Sequence, residues 1–210
     1  MPHRYFLTVE WHLAVRLLSH QQPRPTFGTA VAVLPSGGHV LIPFIGYAAG
    51  RRLIGYVDCE NERLTDLLNR SESLVIRDAF VENFADETIV NLGDGEIDRS
   101  ILYAVEATGG HGEGARRIHA VRHRMQVQLG PYSALGLLHA LPGQNSIAQP
   151  ASRGPMIPLS DATLGFENHG LLAMRDVGTL IVNRDLVDWV RASDDEAMAF
   201  PGVPALTDRS

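Results

Sequence analysis

Short apolar runs separated by Gly, Pro, Asn and Asp recur along the chain, and one stretch alone has clear helical spacing. Thr29 to Leu34 and His39 to Ile45 flank Pro35-Ser36-Gly37-Gly38 and predict a hairpin. A turn at Ala48-Ala49-Gly50 leads into a strand from Leu53 to Cys59. Leu64, Leu67 and Leu68 then fall on one helical face and predict a helix over Glu62 to Asn69. Strands follow over Ser73 to Asn83 and Thr88 to Leu92, joined at Ala85-Asp86-Glu87, and another over Ser100 to Ala107.

A second series resembles the first. His119, Val121, His123, Met125, Val127 and Leu129 alternate with Arg122, Arg124, Gln126 and Gln128, which predicts a half-buried strand. Gly130-Pro131 turns the chain into a strand from Ala134 to Ala140, and Pro142 to Pro155 reads as a loop. Strands over Met156 to Phe166 and Gly178 to Val182 precede an apolar segment from Leu186 to Arg191. Leu13, Leu17 and Leu18 favour a helix over a strand in the stretch Tyr5 to Ser19.

Three blocks align between the two series, which indicates an internal duplication. Asp98-Arg99-Ser100-Ile101-Leu102 lies over Asn183-Arg184-Asp185-Leu186-Val187. Leu74-Val75-Ile76-Arg77-Asp78-Ala79 lies over Met156-Ile157-Pro158-Leu159-Ser160-Asp161-Ala162, and Leu53-Ile54-Gly55-Tyr56-Val57 over Ala134-Leu135-Gly136-Leu137-Leu138. The Gly-to-Asp spacing is 23 in one copy and 25 in the other. Strands this short bury little as an open sheet, so each copy is expected to curl into a small barrel. The expected fold is mainly β: two tandem small barrels, Sm-like or SH3-like, with one short helix in the first and an N-terminal extension. The expected boundaries are 1–28 for the extension, 29–108 and 119–193 for the barrels, 109–118 for a linker and 194–210 for a disordered acidic tail.

The repeated order of apolar strand, x-Gly-x-apolar, apolar-x-Asp-Ala and apolar-Asn-Arg-x-apolar resembles the Sm-like small-barrel pattern. Val127-Gln128-Leu129, Gly136-Leu137-Leu138 and Ile157 to Ala162 approximate its first signature, and Leu180 to Val190 its second. Arg63-Leu64-Thr65-Asp66-Leu67-Leu68-Asn69 also resembles a motif of small bacterial β domains of uncharacterised function. The resemblance implies a small-barrel fold. The Asp-x-apolar-x-Asn loop and the Arg-Gly pair of Sm-like RNA binders are both missing, so no RNA-binding residue carries over. Asp98-Arg99 and Asn183-Arg184 read as turns held by the Asp or Asn side chain.

Composition narrows the chemistry. All 18 basic residues are arginine, which removes lysine nucleophiles, Schiff bases and phosphate-loop lysines. The single cysteine, Cys59, rules out an intramolecular disulfide and reads as a small structural residue. No apolar run is long enough for a membrane helix, and Glu10, His12 and Arg16 spoil the N-terminus as a signal peptide, so the cytoplasm is expected. Net charge is −6, yet no Asp or Glu lies between Glu113 and Asp161, where five arginines make the segment +5.

Gly110-His111-Gly112-Glu113-Gly114-Ala115 mimics a dinucleotide fingerprint but lacks the acid about twenty residues later, and reads as a linker. Asp94, Glu96 and Asp98 read as an acidic turn between strands, while Asp78 and Asp161 read as strand-end residues bonding local amides. Trp11 and Trp189 read as core or interface. No catalytic residue, metal ligand or cofactor is assigned. The expected function is a non-enzymatic binding, scaffold or regulatory protein, working through a homo-oligomer or a protein partner and carrying no membrane span. Two alternatives stand beside it. One is nucleic-acid (RNA) binding through segment 114–160, by Arg116, Arg117, Arg122 and Arg124. The other is an enzyme with a site between the copies, around His119, His123 and Asp58.

Overall fold

A computed structural model describes residues 15–17, 41–60, 62–107, 121–140, 154–168 and 171–193. The expected strand Thr29 to Leu34, the linker 109–118, most of the loop after Pro142 and the tail 194–210 lie outside the described residues. The elements are β1 (Val15–Leu17), β2 (Leu41–Ala48), β3 (Arg51–Asp58), α1 (Leu64–Arg70), β4 (Ser73–Asn83), β5 (Ile89–Asp98) and β6 (Ala104–Ala107), then β7 (Val121–Leu129), β8 (Tyr132–Ala140), β9 (Met156–Asn168), β10 (Leu171–Asn183) and β11 (Trp189–Ala192). One 3-10 turn, Arg99–Ile101, precedes β6 and another, Arg184–Leu186, precedes β11.

All eleven strands belong to one sheet, in the order β1-β5-β4-β3-β2-β6-β10-β9-β8-β7-β11, and every neighbouring pair is antiparallel. The strands from β5 to β6 and those from β10 to β11 repeat one order: fourth, third, second, first, fifth. The duplication read from the sequence therefore reappears as topology. The closed barrels do not. The sheet is open, because β6 pairs with β10 of the other half instead of returning to β5 of its own. That pairing satisfies the edge that barrel closure was expected to satisfy.

Other expectations need correction. Val15–Leu17 is extended, not helical. The expected strand Thr88 to Leu92 continues to Asp98, so Asp94, Glu96 and Asp98 lie within β5 and not in a turn. The segment Ser100 to Ala107 is broken by the 3-10 turn ahead of β6.

The two aspartates of the aligned blocks also sit elsewhere than expected. Asp78 and Asp161 lie within β4 and β9, not at strand ends, with φ of 48° and 47°. Each marks a register shift in its strand's pairing. The left-handed region is costly for most side chains and mild for Asp, which explains the residue type. The matched glycines face these bulges. A Cβ on Gly55 would fall 2.5 Å from Ile76 Cγ2 and 2.8 Å from the Arg77 carbonyl. One on Gly136 would lie 3.2 Å from the Ser160 carbonyl. The near-constant Gly-to-Asp spacing thus encodes a bulge and the notch that receives it. Bulges bend a strand and sharpen its twist, so one bend is built into each half.

Two apolar clusters lie on opposite faces of the sheet, since successive residues such as Ala104 and Val105 fall in different clusters, and both mix the halves. One combines Tyr47, Phe84 and Ala104 with Met125, Leu129, Leu164 and Leu180. The other combines Phe44, Leu68, Ile76 and Leu102 with Met156 and Ile181. Phe84 stacks on Phe166 at 4.6 Å between centroids, and Tyr47 meets Tyr132 edge-on at 5.6 Å.

Gly55→Ala is expected to destabilise the fold by about 1–3 kcal/mol, through overpacking against backbone. Asp161→Gly should stay within about 1 kcal/mol of wild type, whereas Asp161→Val should cost about 1–2 kcal/mol more, from the left-handed backbone. Urea unfolding midpoints of the three variants check both statements.

Candidate functional site

The junction between the halves is a backbone ladder. Ala104, Val105 and Glu106 of β6 lie opposite Val182, Ile181 and Leu180 of β10. β6 also pairs with β2 on its other side, through Tyr47, Gly46 and Ile45. A strand with partners on both sides has no free backbone polar groups along its middle. Val105 is 0% exposed, packed with Ile181 of β10 in one of the two apolar clusters.

A buried carboxylate lies at the same place. Glu106 accepts from Tyr47 Oη at 2.5 Å and from Arg175 Nε at 2.6 Å and Nη2 at 3.3 Å. Two donors answer both oxygens, as burial of a charge requires. Burial holds the Tyr47 phenol well above its ordinary range, and the hydrogen bond to Glu106 adds to the rise. The Glu106 hydrogen bond likewise raises Arg175, which stays charged.

Further contacts tie the halves. Asn69, the last residue of the Arg63-to-Asn69 motif, bonds Met156 through both carbonyl and amide, each at 2.9 Å. Tyr132 Oη donates to the Ala48 carbonyl. Arg99 Nη1 donates to the Leu68 and Ser71 carbonyls at 3.0 and 3.2 Å, capping the end of α1. The two 3-10 turns are held as the sequence indicated: Asp98 accepts from the Ser100 amide at 2.7 Å and Asn183 from the Asp185 amide at 3.1 Å. These bonds from Ser100 hold the Asp98 carboxyl below its ordinary value.

β11 repeats β6 in the second half. It follows the corresponding turn and pairs with β7 as β6 pairs with β2, Trp189 opposite Gln128 where Ala104 is opposite Tyr47. Val190 therefore stands in the place of Val105, and Arg191 in that of Glu106. Among the described residues β11 has no strand on its outer side, and Val190 is 42% exposed. Arg191 bends inward, donating to Gln126 Oε1 from Nε at 3.0 Å and Nη2 at 2.5 Å, with its guanidinium 5.2 Å from the Trp189 ring.

The direction of the free groups on β11 follows from one bond. Ser193 N donates to the Arg124 carbonyl at 3.0 Å, so along this ladder Trp189 and Arg191 turn their N–H groups to β7. Those of Val190 and Ala192 point outward.

Comparison supplies no relative to set beside this edge. No family model matches the chain, and neither a curated protein nor a solved structure matches it. The Sm-like resemblance gains nothing from these comparisons, and no residue role rests on it.

The residues singled out for chemistry scatter. Arg116, Arg117 and His119 lie outside the described residues, as do the fingerprint mimic from Gly110 to Ala115 and Trp11. Arg122 is exposed on β7, and Arg124 is half-buried beside it with its Nε lacking a partner. His123 on β7 and Asp58 on β3 are separated in the sheet by β2, β6, β10, β9 and β8. A cleft of about 230 Å³ lies between α1, β3 and β4, lined by Val57, Asp58, Leu67, Ser73 and Arg77 among others, with no histidine. Cys59 is buried and its thiol is pushed up to about 11, first by burial and then by Asp58 and Glu62, which leaves little thiolate at neutral pH. Among the described residues no three His, Cys, Asp or Glu side chains converge on a metal-sized space, and no helix is long and apolar enough to cross a membrane.

Reading the sequence missed Glu106 and the β11 edge. Glu106 is a lone acid in an apolar strand, a signal that could have marked it. The free edge has no signal in the strand itself, since β6 and β11 are equally short.

Asp98→Asn keeps the accepting oxygen and removes the charge. The Asp98 carboxyl is lowered in the folded protein, so its contribution is present above its ordinary value of 3.8 and is lost as pH falls through the folded value. The wild type should exceed the variant in urea midpoint at neutral pH, and the gap should close as acid is added below that range.

Proposed function

We propose that this protein is a non-enzymatic scaffold that assembles through its strand edges, β11 of one chain adding to β5 of a second copy. The observation that carries the reading is the β6–β10 junction, in which a fifth strand docks on a fourth strand of the neighbouring half. β11 is the remaining fifth strand and β5 the remaining fourth strand, its outer side carrying the three-residue β1, and they lie near opposite ends of the sheet. A second copy supplies both elements, joined in the manner already built within one chain. Adding a strand to a sheet edge needs little side-chain chemistry, because main-chain bonds supply the affinity.

The exposure of Val190 supports the same partner. In the equivalent position Val105 is covered by β10. Such a contact is head-to-tail, so it closes into a ring or continues as a filament according to the angle of each junction. The Glu106–Arg175 pair marks the internal junction as different from the proposed one. Arg191 holds the place of Glu106, and by the pairing of β4 with β5 Val90 holds that of Arg175. The internal contact is thereby the one in which a part-exposed arginine answers a buried carboxylate, and the contact between chains relies on backbone and apolar surface.

Val190→Pro removes an outward N–H and leaves the β7 ladder whole, since edge positions tolerate proline. Sedimentation velocity across a concentration series should show wild type growing from one chain to larger species while Val190→Pro stays a single chain with an unchanged melting curve. Identical sedimentation of the two proteins at every concentration overturns the reading.

A further inference from the structure

We infer that β1 is a displaceable cap, seated on β5 in the place that β11 of a second copy would take; this rests on the edge-pairing reading above. The register carries the inference. Val15, Arg16 and Leu17 lie opposite Ile97, Glu96 and Gly95. At the internal junction Ala104, Val105 and Glu106 lie opposite Val182, Ile181 and Leu180. Asp98 and Asn183 mark equivalent points, each opening a 3-10 turn with its side chain, so Ile97, Glu96 and Gly95 correspond to Val182, Ile181 and Leu180. β1 thus reproduces β6 residue for residue, in the same antiparallel sense, although it comes from outside both repeats.

The hydrogen-bond phase agrees. Arg99 N donates to the Glu72 carbonyl at 2.8 Å, and the ladder from 73 to 76 against 98 to 95 continues from it. Ile97 and Gly95 therefore turn their N–H groups to β4, and Glu96 turns its own outward to β1. In the other half Arg184 N donates to the Pro155 carbonyl, which leaves Ile181 and Asn183 facing outward, and Asn183 N donates to the Tyr103 carbonyl at 2.9 Å. Glu96 with Arg16 is consequently the same kind of hydrogen-bonded pair as Ile181 with Val105.

A strand of three residues makes a short ladder, and each backbone bond shifts an equilibrium by only roughly twofold to tenfold. A cap of this length shields the edge from indiscriminate pairing and still exchanges with a longer competitor. The competitor brings more than three residues, because β11 has four and the internal junction also uses the residue just before β6. Assembly is then governed by competition between a segment of the same chain and the edge of another.

Arg16→Pro in the full-length chain removes the one β1 amide directed at Glu96. The expected result is association at a concentration roughly threefold to tenfold lower than wild type. Arg16→Pro combined with Val190→Pro should return to a single chain, and a synthetic peptide of residues 10–20 in excess should reverse the gain of Arg16→Pro alone. If Arg16→Pro sediments like wild type while Val190→Pro still abolishes association, β1 is no cap and edge pairing stands. If Val190→Pro is also without effect, both readings fall. Aggregation of Arg16→Pro that neither the peptide nor Val190→Pro relieves overturns the cap as well, since it signals exposed core and not an exchanged edge.

Discussion

A four-residue strand cannot be left with bare backbone in the middle of a sheet, and the architecture follows from that requirement. Each half ends in such a strand after a 3-10 turn. β6 meets the requirement by pairing with β2 on one side and β10 on the other. Once β6 is interior, Glu106 is interior too, and a buried carboxylate is tolerable only with donors on its oxygens. Tyr47 from β2 and Arg175 from β10 provide them, one from each strand flanking β6. The charge pair is thus a consequence of the backbone pairing, and it adds side-chain bonds across the seam.

The seam is reinforced by groups that the ladder brings within reach. Tyr132, Phe166, Tyr47 and Phe84 form an aromatic row across it. Asn69 reaches from α1 to the first residue of β9 and answers both its amide and its carbonyl. Within each half, a glycine notch and a left-handed aspartate hold the bend that lets one face close over apolar residues. Neither apolar cluster belongs to one half alone, because the seam strands β6 and β10 send alternate side chains into both.

The same requirement governs the outer edges. β11 keeps its outward amides and an exposed valine, while β1 covers part of β5 in the register of an absent fifth strand. His123, Asp58 and Cys59 gather into no constellation with one another, and Glu106, with donors on both oxygens, lies in a seam and not in a cleft.

Much of this was legible without coordinates. The period-two alternation from Val121 to Leu129 marked a strand, the spacing of Leu64, Leu67 and Leu68 marked the helix, and the Asp98 and Asn183 dipeptides marked their turns, because each depends on neighbours a few residues apart. The repeated glycine and aspartate announced a repeated local geometry, though not that it was a bulge. Only the tertiary structure decided which strand lies beside β6. An alternating pattern says which face is buried and is silent about the edge, so return to β5 and extension to β10 read alike in the sequence. The strand at Val15–Leu17 was hidden for the same reason: three residues have too little pattern to declare a conformation, and β5 imposes it.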